Sequence, residues 1–187
     1  MHSYQLVAEH ELSESTNAFD LSLTKSMSAA RSVEFLRGRQ LLRQLVSDYW
    51  QCDLSEIKFA KQGRKWQVIA PKPLYISLAH TDGWFVATCA NKPIGIDIEL
   101  INRRAPMLPI AKRYFREAEY AWLLAKMQPE IAALELWTAK EAYVKCIGST
   151  LASELGRIEF NSNLQTPGYT TNLITEKASI ICIIEKI

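Results

Sequence analysis

An α+β fold is what this sequence predicts, and three observations predict it. Residues 28–50 carry apolar side chains at helical spacing, and three short apolar runs separated by turn residues follow later in the chain. Residues 108–146 return to helical patterning, and the chain closes on strand-like runs. Helix then strands, followed by helices then strands, gives a rough doubling near residue 93. The predicted division is 1–93 and 94–187.

The elements follow in order. One strand is predicted near Leu6. The 28–50 helix places Phe35, Leu42, Leu45, Val46 and Tyr49 on one face. Gly38 lies on that face, at a cost of roughly 1 kcal/mol against Ala, which points to a close backbone approach. Strands are predicted over 74–80, 84–90 and 94–100. Thr81-Asp82-Gly83 and Asn91-Lys92-Pro93 between them read as hairpin turns. Two short helices, 108–115 and 117–127, precede a longer one over 129–146. Pro129 suits its first turn and Gly148 its stop. Strands over 157–160, 169–174 and 179–185 complete the chain.

With 187 residues, 48% apolar and 22% charged, the chain can bury an ordinary core, in one domain or two small lobes. The apolar run 180–184 is far short of the ~20 residues a membrane helix needs. Glu9, Glu11 and Glu14 near the start are unlike a secretory signal. Cys52, Cys89, Cys146 and Cys182 are far apart, so reduced thiols and a cytoplasmic location are expected, rather than a zinc or disulfide framework.

Charge is uneven. Residues 25–72 hold ten Lys/Arg against four Asp/Glu, in a chain whose net charge is only +2. Such a cluster suits a phosphorylated small molecule, a nucleic acid or an acidic protein, although a solvated face would carry the same charges.

Residues 94–100 alternate strictly, so Asp97 and Glu99 share one strand face opposite Ile94, Ile96, Ile98 and Leu100. Adjacent carboxylates repel, and a divalent cation such as Mg²⁺ would remove the repulsion; the wet face of a sheet reads the same way. In the long helix Trp137, Glu141 and Lys145 form an i, i+4, i+8 stripe. Glu141 and Lys145 are either a surface ion pair worth roughly 0.2–0.5 kcal/mol or a third carboxylate with a phosphate-facing cation. His80 ends a strand beside a turn, within reach of a ligand.

Taken together, Ile94-Gly95-Ile96-Asp97-Ile98-Glu99 and Trp137-Thr138-Ala139-Lys140-Glu141-Ala142-Tyr143-Val144-Lys145 resemble the two signature motifs of the 4′-phosphopantetheinyl transferases. Phe115-Arg116-Glu117-Ala118-Glu119-Tyr120 lies between them. Upstream, Ser77-Leu78-Ala79-His80-Thr81 resembles the family's Asn-x-Ser-His-Ser, and Arg31-x-x-Glu34-Phe35-Leu36-x-Gly38-Arg39 its basic helix. Length points to the surfactin-synthetase-activator type. The resemblance implies two similar α+β halves packed as a pseudo-dimer, in a monomer with the active site between them. It also starts the second half at strand 94–100, against the hairpin reading.

Position by position, the resemblance implies Asp97, Glu99 and Glu141 as ligands of Mg²⁺, or of Mn²⁺ in its place, and Glu119 as a further acid near the metal. Lys145 would contact coenzyme A phosphates, His80 the 3′-phosphate end, and Arg64 would take the place of the lysine in Gly-Lys-Pro. Arg31 and Arg39 are further phosphate contacts. Asp97, Glu141 and Lys145 would be catalytic, with Glu141 able to accept a proton. Ser77 and Ala79 depart from the family's Asn and first Ser, and Gly63-Arg64-Lys65 from its Gly-Lys-Pro. The implied reaction moves phosphopantetheine from coenzyme A to a serine of an apo acyl or peptidyl carrier protein, releasing 3′,5′-bisphosphoadenosine. Two other readings compete: a coenzyme A or carrier-protein binding module without turnover, and a nucleic-acid-binding protein. Few aromatics interleave with the basic residues and the acids have no part in nucleic-acid binding, so no nucleic-acid partner is expected, and without a long apolar run no membrane partner either.

Overall fold

The computed structural model describes residues 2–187. Its first sheet contains β1 (His2–Ala8), β2 (Lys58–Gln62), β3 (Lys65–Ala70), β4 (Leu74–Thr81) and β5 (Trp84–Ala90), in the antiparallel order β1-β5-β4-β3-β2. The second contains β6 (Ile94–Leu100), β7 (Tyr169–Glu176) and β8 (Ser179–Lys186), in the order β6-β8-β7. The helices are α1 (Ala18–Ser22), α2 (Ala29–Trp50), α3 (Met107–Tyr114), α4 (Glu117–Leu124), α5 (Pro129–Ile147) and α6 (Leu151–Glu154). The fold is mixed α+β, as predicted. Among the described residues, no helix is long and apolar enough to cross a membrane.

Each sheet is covered by one long helix. The Ser28 side chain caps α2 by accepting from the Arg31 N–H. Leu41, Leu42, Leu45 and Val46 then pack with Phe59, Val68, Leu74, Ile76 and Phe85 of the first sheet. The close approach anticipated at Gly38 is there: an added Cβ would stand 2.5 Å from Leu78 Cδ2 of β4. Helix α5 begins at Pro129 and stops at Gly148, whose φ of 73° suits a residue without a Cβ. Ala139, Ala142 and Cys146 pack with Ile180, Cys182 and Ile184 of β8.

Strand β6 is buried on both sides. Ile94, Ile96 and Ile98 meet Ala79, Val86 and Ala90 of the first sheet, which makes the seam between the sheets. The opposite face of β6 looks onto α5. The Ile96 N–H crosses the seam to Ser77 Oγ at 3.1 Å.

Three expectations need correction. No hairpin joins 84–90 to 94–100: β6 pairs with β8, Asp97 opposite Cys182, because β1 and β4 already occupy both edges of β5. The strand belongs to the second sheet, which the turn did not reveal. Residues 157–160 form no strand, because their backbone is bound elsewhere: the Phe160 N–H donates to Glu119 and the Ile158 carbonyl accepts from Lys140. Finally, β2 and β3 were not predicted. Lys58, Lys61 and Lys65 obscure an alternation in which Phe59 and Val68 are the buried members.

Candidate active site

The side of β6 facing α5 carries Gly95, Asp97 and Glu99. Gly95 permits the contact: a Cβ there would stand 2.0 Å from the Ala142 carbonyl oxygen and 2.4 Å from the Cys146 nitrogen. With strand and helix this close, the acids of β6 meet the Trp137, Glu141 and Lys145 stripe of α5. Lys145 Nζ donates to Asp97 Oδ1 at 2.7 Å, and Trp137 Nε1 donates to Glu99 Oε1 at 3.1 Å. Arg103 also reaches Glu99 Oε1, at 3.2 Å. Lys145 therefore pairs with Asp97 across the elements rather than with Glu141 along its own helix.

All three carboxyls sit above their ordinary range. Burial raises Asp97, and Lys145 offsets part of the rise. Burial raises Glu99, with Arg103 opposing. Glu141 is pushed up to about 7, first by burial and then by the Asp97 charge, with Lys145 opposing. Asp97 Oδ2 is buried and has no hydrogen-bond partner among the described residues.

Among the described residues, no three acid, histidine or cysteine side chains already surround one point as a ready-made metal cage. The donor set still suits a hard divalent cation: burial holds three neighbouring carboxyls above their ordinary range despite Lys145 and Arg103, and one buried oxygen is unsatisfied. Asp97, Glu99 and Glu141 open, with Lys145 and His80, onto one cleft.

Next to it lies a cavity of about 730 Å³. Arg31, Arg39, Arg64, His80 and Lys145 all line it, together with Lys61, Lys65 and the single acid Glu34. His80 and Lys145 belong to both openings. His80 Nε2 lies 3.1 Å from Glu34 and its ring stacks on Phe85. Arg31 and Arg64 are exposed on the wall. Arg39 is different: it is 2% exposed, lies 3.7 Å from Asp20, and its guanidinium sits 3.8 Å from the centre of the Trp66 ring. Burial lowers its pKa to about 10, and both Nη atoms lack a hydrogen-bond partner among the described residues.

Glu119 has a role other than the one expected. It is fully buried, bonded to Lys140 Nζ at 2.9 Å and to the N–H groups of Arg116 and Phe160. It lines neither opening. Both its oxygens are taken up by a buried clasp that holds residues 155–160 against α4 and α5. Sequence reasoning also passed over Lys140. Its signal was a charge on the buried side of α5, one turn from both Leu136 and Val144. Lys65 and Ser77, noted only as departures, both make contacts out of the first sheet, Lys65 to α5 and Ser77 to β6.

The family model of the 4′-phosphopantetheinyl transferase superfamily matches residues 93–186, just over half of the chain. The chain belongs to the 4′-phosphopantetheinyl transferase superfamily. It is 36% identical over 102 residues to the 4′-phosphopantetheinyl transferase gsp of Aneurinibacillus migulanus, covering 53% of this chain and 42% of that protein. Against 4′-phosphopantetheinyl transferase Sfp of Bacillus subtilis it is 35% identical over 123 residues, 64% of this chain and 54% of the relative. Against 4′-phosphopantetheinyl transferase HetI of Nostoc it is 31% identical over 127 residues, 63% and 53% respectively. The chain thus spans about half the length of the transferases it matches. The superfamily match includes β6 and α5, the two elements that carry Asp97, Glu99, Glu141 and Lys145.

Proposed function

We propose that this chain transfers 4′-phosphopantetheine from coenzyme A to a serine of an apo acyl or peptidyl carrier protein, releasing 3′,5′-bisphosphoadenosine. The observation that carries the reading is the junction of two unlike surfaces. A cluster of carboxylates on β6 and α5, buried at Asp97, opens at Lys145 and His80 onto a cavity walled with cations.

Asp97, Glu99 and Glu141 would hold Mg²⁺, or Mn²⁺ in its place, which when bound neutralises charge on the diphosphate. Arg31, Arg64 and His80 bind the phosphates of coenzyme A along the wall, and Arg39, buried over Trp66, adds positive charge from beneath the floor. Lys145 leaves Asp97 for a phosphate oxygen, and so stabilises charge in both the bound and the reacting state. Glu141, with its pKa near neutrality, accepts the proton of the attacking serine. The protein's part is positioning and charge stabilisation, as phosphoryl transfer requires.

On this reading the chain divides at residue 93 into two halves, with the site between them, and works as a cytoplasmic monomer that needs no nucleic acid or membrane. The family membership and the separate sheets on either side of residue 93 support this division. The test is to mix the protein with coenzyme A, Mg²⁺ and apo carrier proteins of both kinds. The expected result is a phosphopantetheine mass gain on the carrier, lost on chelation. Intact apo carriers after prolonged incubation would refute the reading.

A further inference from the structure

Lys65 begins β3 in the first sheet, yet its ammonium donates to the Cys146 carbonyl of α5. That carbonyl is one of the last four of the helix, which lack partners inside it. Its neighbour Val144 is served by the Gly148 and Ser149 N–H groups. A cation at this end also meets the negative pole of the helix. The Lys65 stem lies against Gly148, where an added Cβ would stand 2.7 Å from Lys65 Cδ. On another side of the same turn, Gly95 of β6 lies against the Ala142 carbonyl and the Cys146 nitrogen. The last turns of α5, which carry Glu141 and Lys145, are therefore braced by both sheets. Burial lowers the Lys65 pKa, so the contact uses a cation partly removed from water.

We infer that Lys65 is a positioning residue, tying the strand next to Arg64 to the turn of α5 that carries Lys145. It thereby sets the gap that a ligand diphosphate must bridge. Lys65, Arg64 and Lys145 all line the large cavity, so a change in this gap changes the cavity itself. The inference rests on the coenzyme A reading above and adds to it a residue where the resemblance put proline.

The test compares Lys65→Met, which keeps the stem and loses the donor, with Lys65→Arg, which keeps charge and donor. Three quantities are measured: kcat and KM for coenzyme A, coenzyme A binding by calorimetry, and backbone amide exchange. Lys65→Met is expected to lower kcat about tenfold as well as raise KM about tenfold, because a displaced catalytic turn costs rate and not only affinity. Exchange should quicken together at 64–66 and 145–149, segments far apart in sequence, while β1 and β5 stay protected. Lys65→Arg should hold kcat within about threefold of the parent. A rise in KM with kcat and exchange unchanged would make Lys65 a simple wall charge and overturn the inference. Exchange quickened throughout the chain would reduce it to a general stabilising contact, and no change in any quantity would remove it. If the parent protein binds no coenzyme A, the functional reading fails, while the paired exchange of the two segments still decides the tether.

Discussion

Gly95→Ala tests the assembly of the site with one methyl group. The new Cβ would stand 2.0 Å from the Ala142 oxygen and 2.4 Å from the Cys146 nitrogen. An ordinary carbon–oxygen contact is roughly 3.3 Å, so the shortfall exceeds about 1 Å. Both obstacles are backbone, and no side chain can swing aside. Strand β6 and helix α5 must part, and Asp97 and Glu99 must move away from Glu141 and Lys145. Overpacking of this kind costs about 1–3 kcal/mol. In a chain of this size that is a fall in Tm of roughly 2–12 °C. A displacement near 1 Å among reacting groups costs about 10²-fold in rate, so turnover should fall far more than stability. The assay is thermal melting and carrier modification side by side, with Gly156→Ala as control, since a Cβ at Gly156 meets nothing within 4 Å. A Gly95→Ala protein matching the control in Tm and turnover would refute the claim that this contact sets the geometry.

Two more predictions use the buried charges. Glu141→Gln should lower kcat by about 10²-fold or more if the carboxylate takes the serine proton, with a smaller change in coenzyme A binding. The same variant tests the pH dependence of stability. Glu141 sits at about 7 in the folded protein, so the unfolded chain ionises first as pH rises. Metal-free parent protein should therefore lose stability between its ordinary carboxyl range and about pH 7, by at most about 3 kcal/mol, and stay level above. Glu141→Gln should melt like the parent at pH 4 and above it at pH 8, and Mg²⁺ should raise the parent's Tm more at pH 8 than at pH 5. A gap between variant and parent that is equal at both pH values would count against the raised pKa. Glu119→Gln, in contrast, should act on stability. It strands Lys140 in the core at a cost of about 3–5 kcal/mol, and Lys140→Met in the same chain should recover part of the loss. An unchanged Tm combined with lost metal dependence would return Glu119 to the metal site.

The elements that carry the site were legible because each had a strong local signal. Strict alternation marked β6, and Pro129 and Gly148 bracketed α5. The contact between them was not legible from periodicity. It depends on the missing side chain at Gly95, and only the order of the motifs implied it. Local turn chemistry failed at Asn91-Lys92-Pro93, since β5 already had two neighbours, a fact about strands 80 residues apart. Glu119 was misplaced because an acid that binds metal and an acid that clasps a buried lysine look identical in one dimension. The partner that separates them, Lys140, was visible only as a charge on a buried helix face. Arg39 was singled out as a cation beside the ligand. Its contact with the Trp66 ring and its pairing with Asp20 come from elements that the charge pattern could not connect.

The carboxylates and most of the cavity's cations come from different stretches of the chain. Asp97, Glu99 and Glu141 follow residue 93, whereas Arg31, Arg39, Arg64 and His80 precede it. Substitutions that alter the grip on a ligand therefore fall apart in sequence from those that alter the acids. Drift in one region can change which anion is held, and how tightly, while the other keeps its chemistry. The superfamily match, confined to 93–186, lies wholly on the acid-bearing side. The cation wall, with Arg64 and Lys65, lies on the other side.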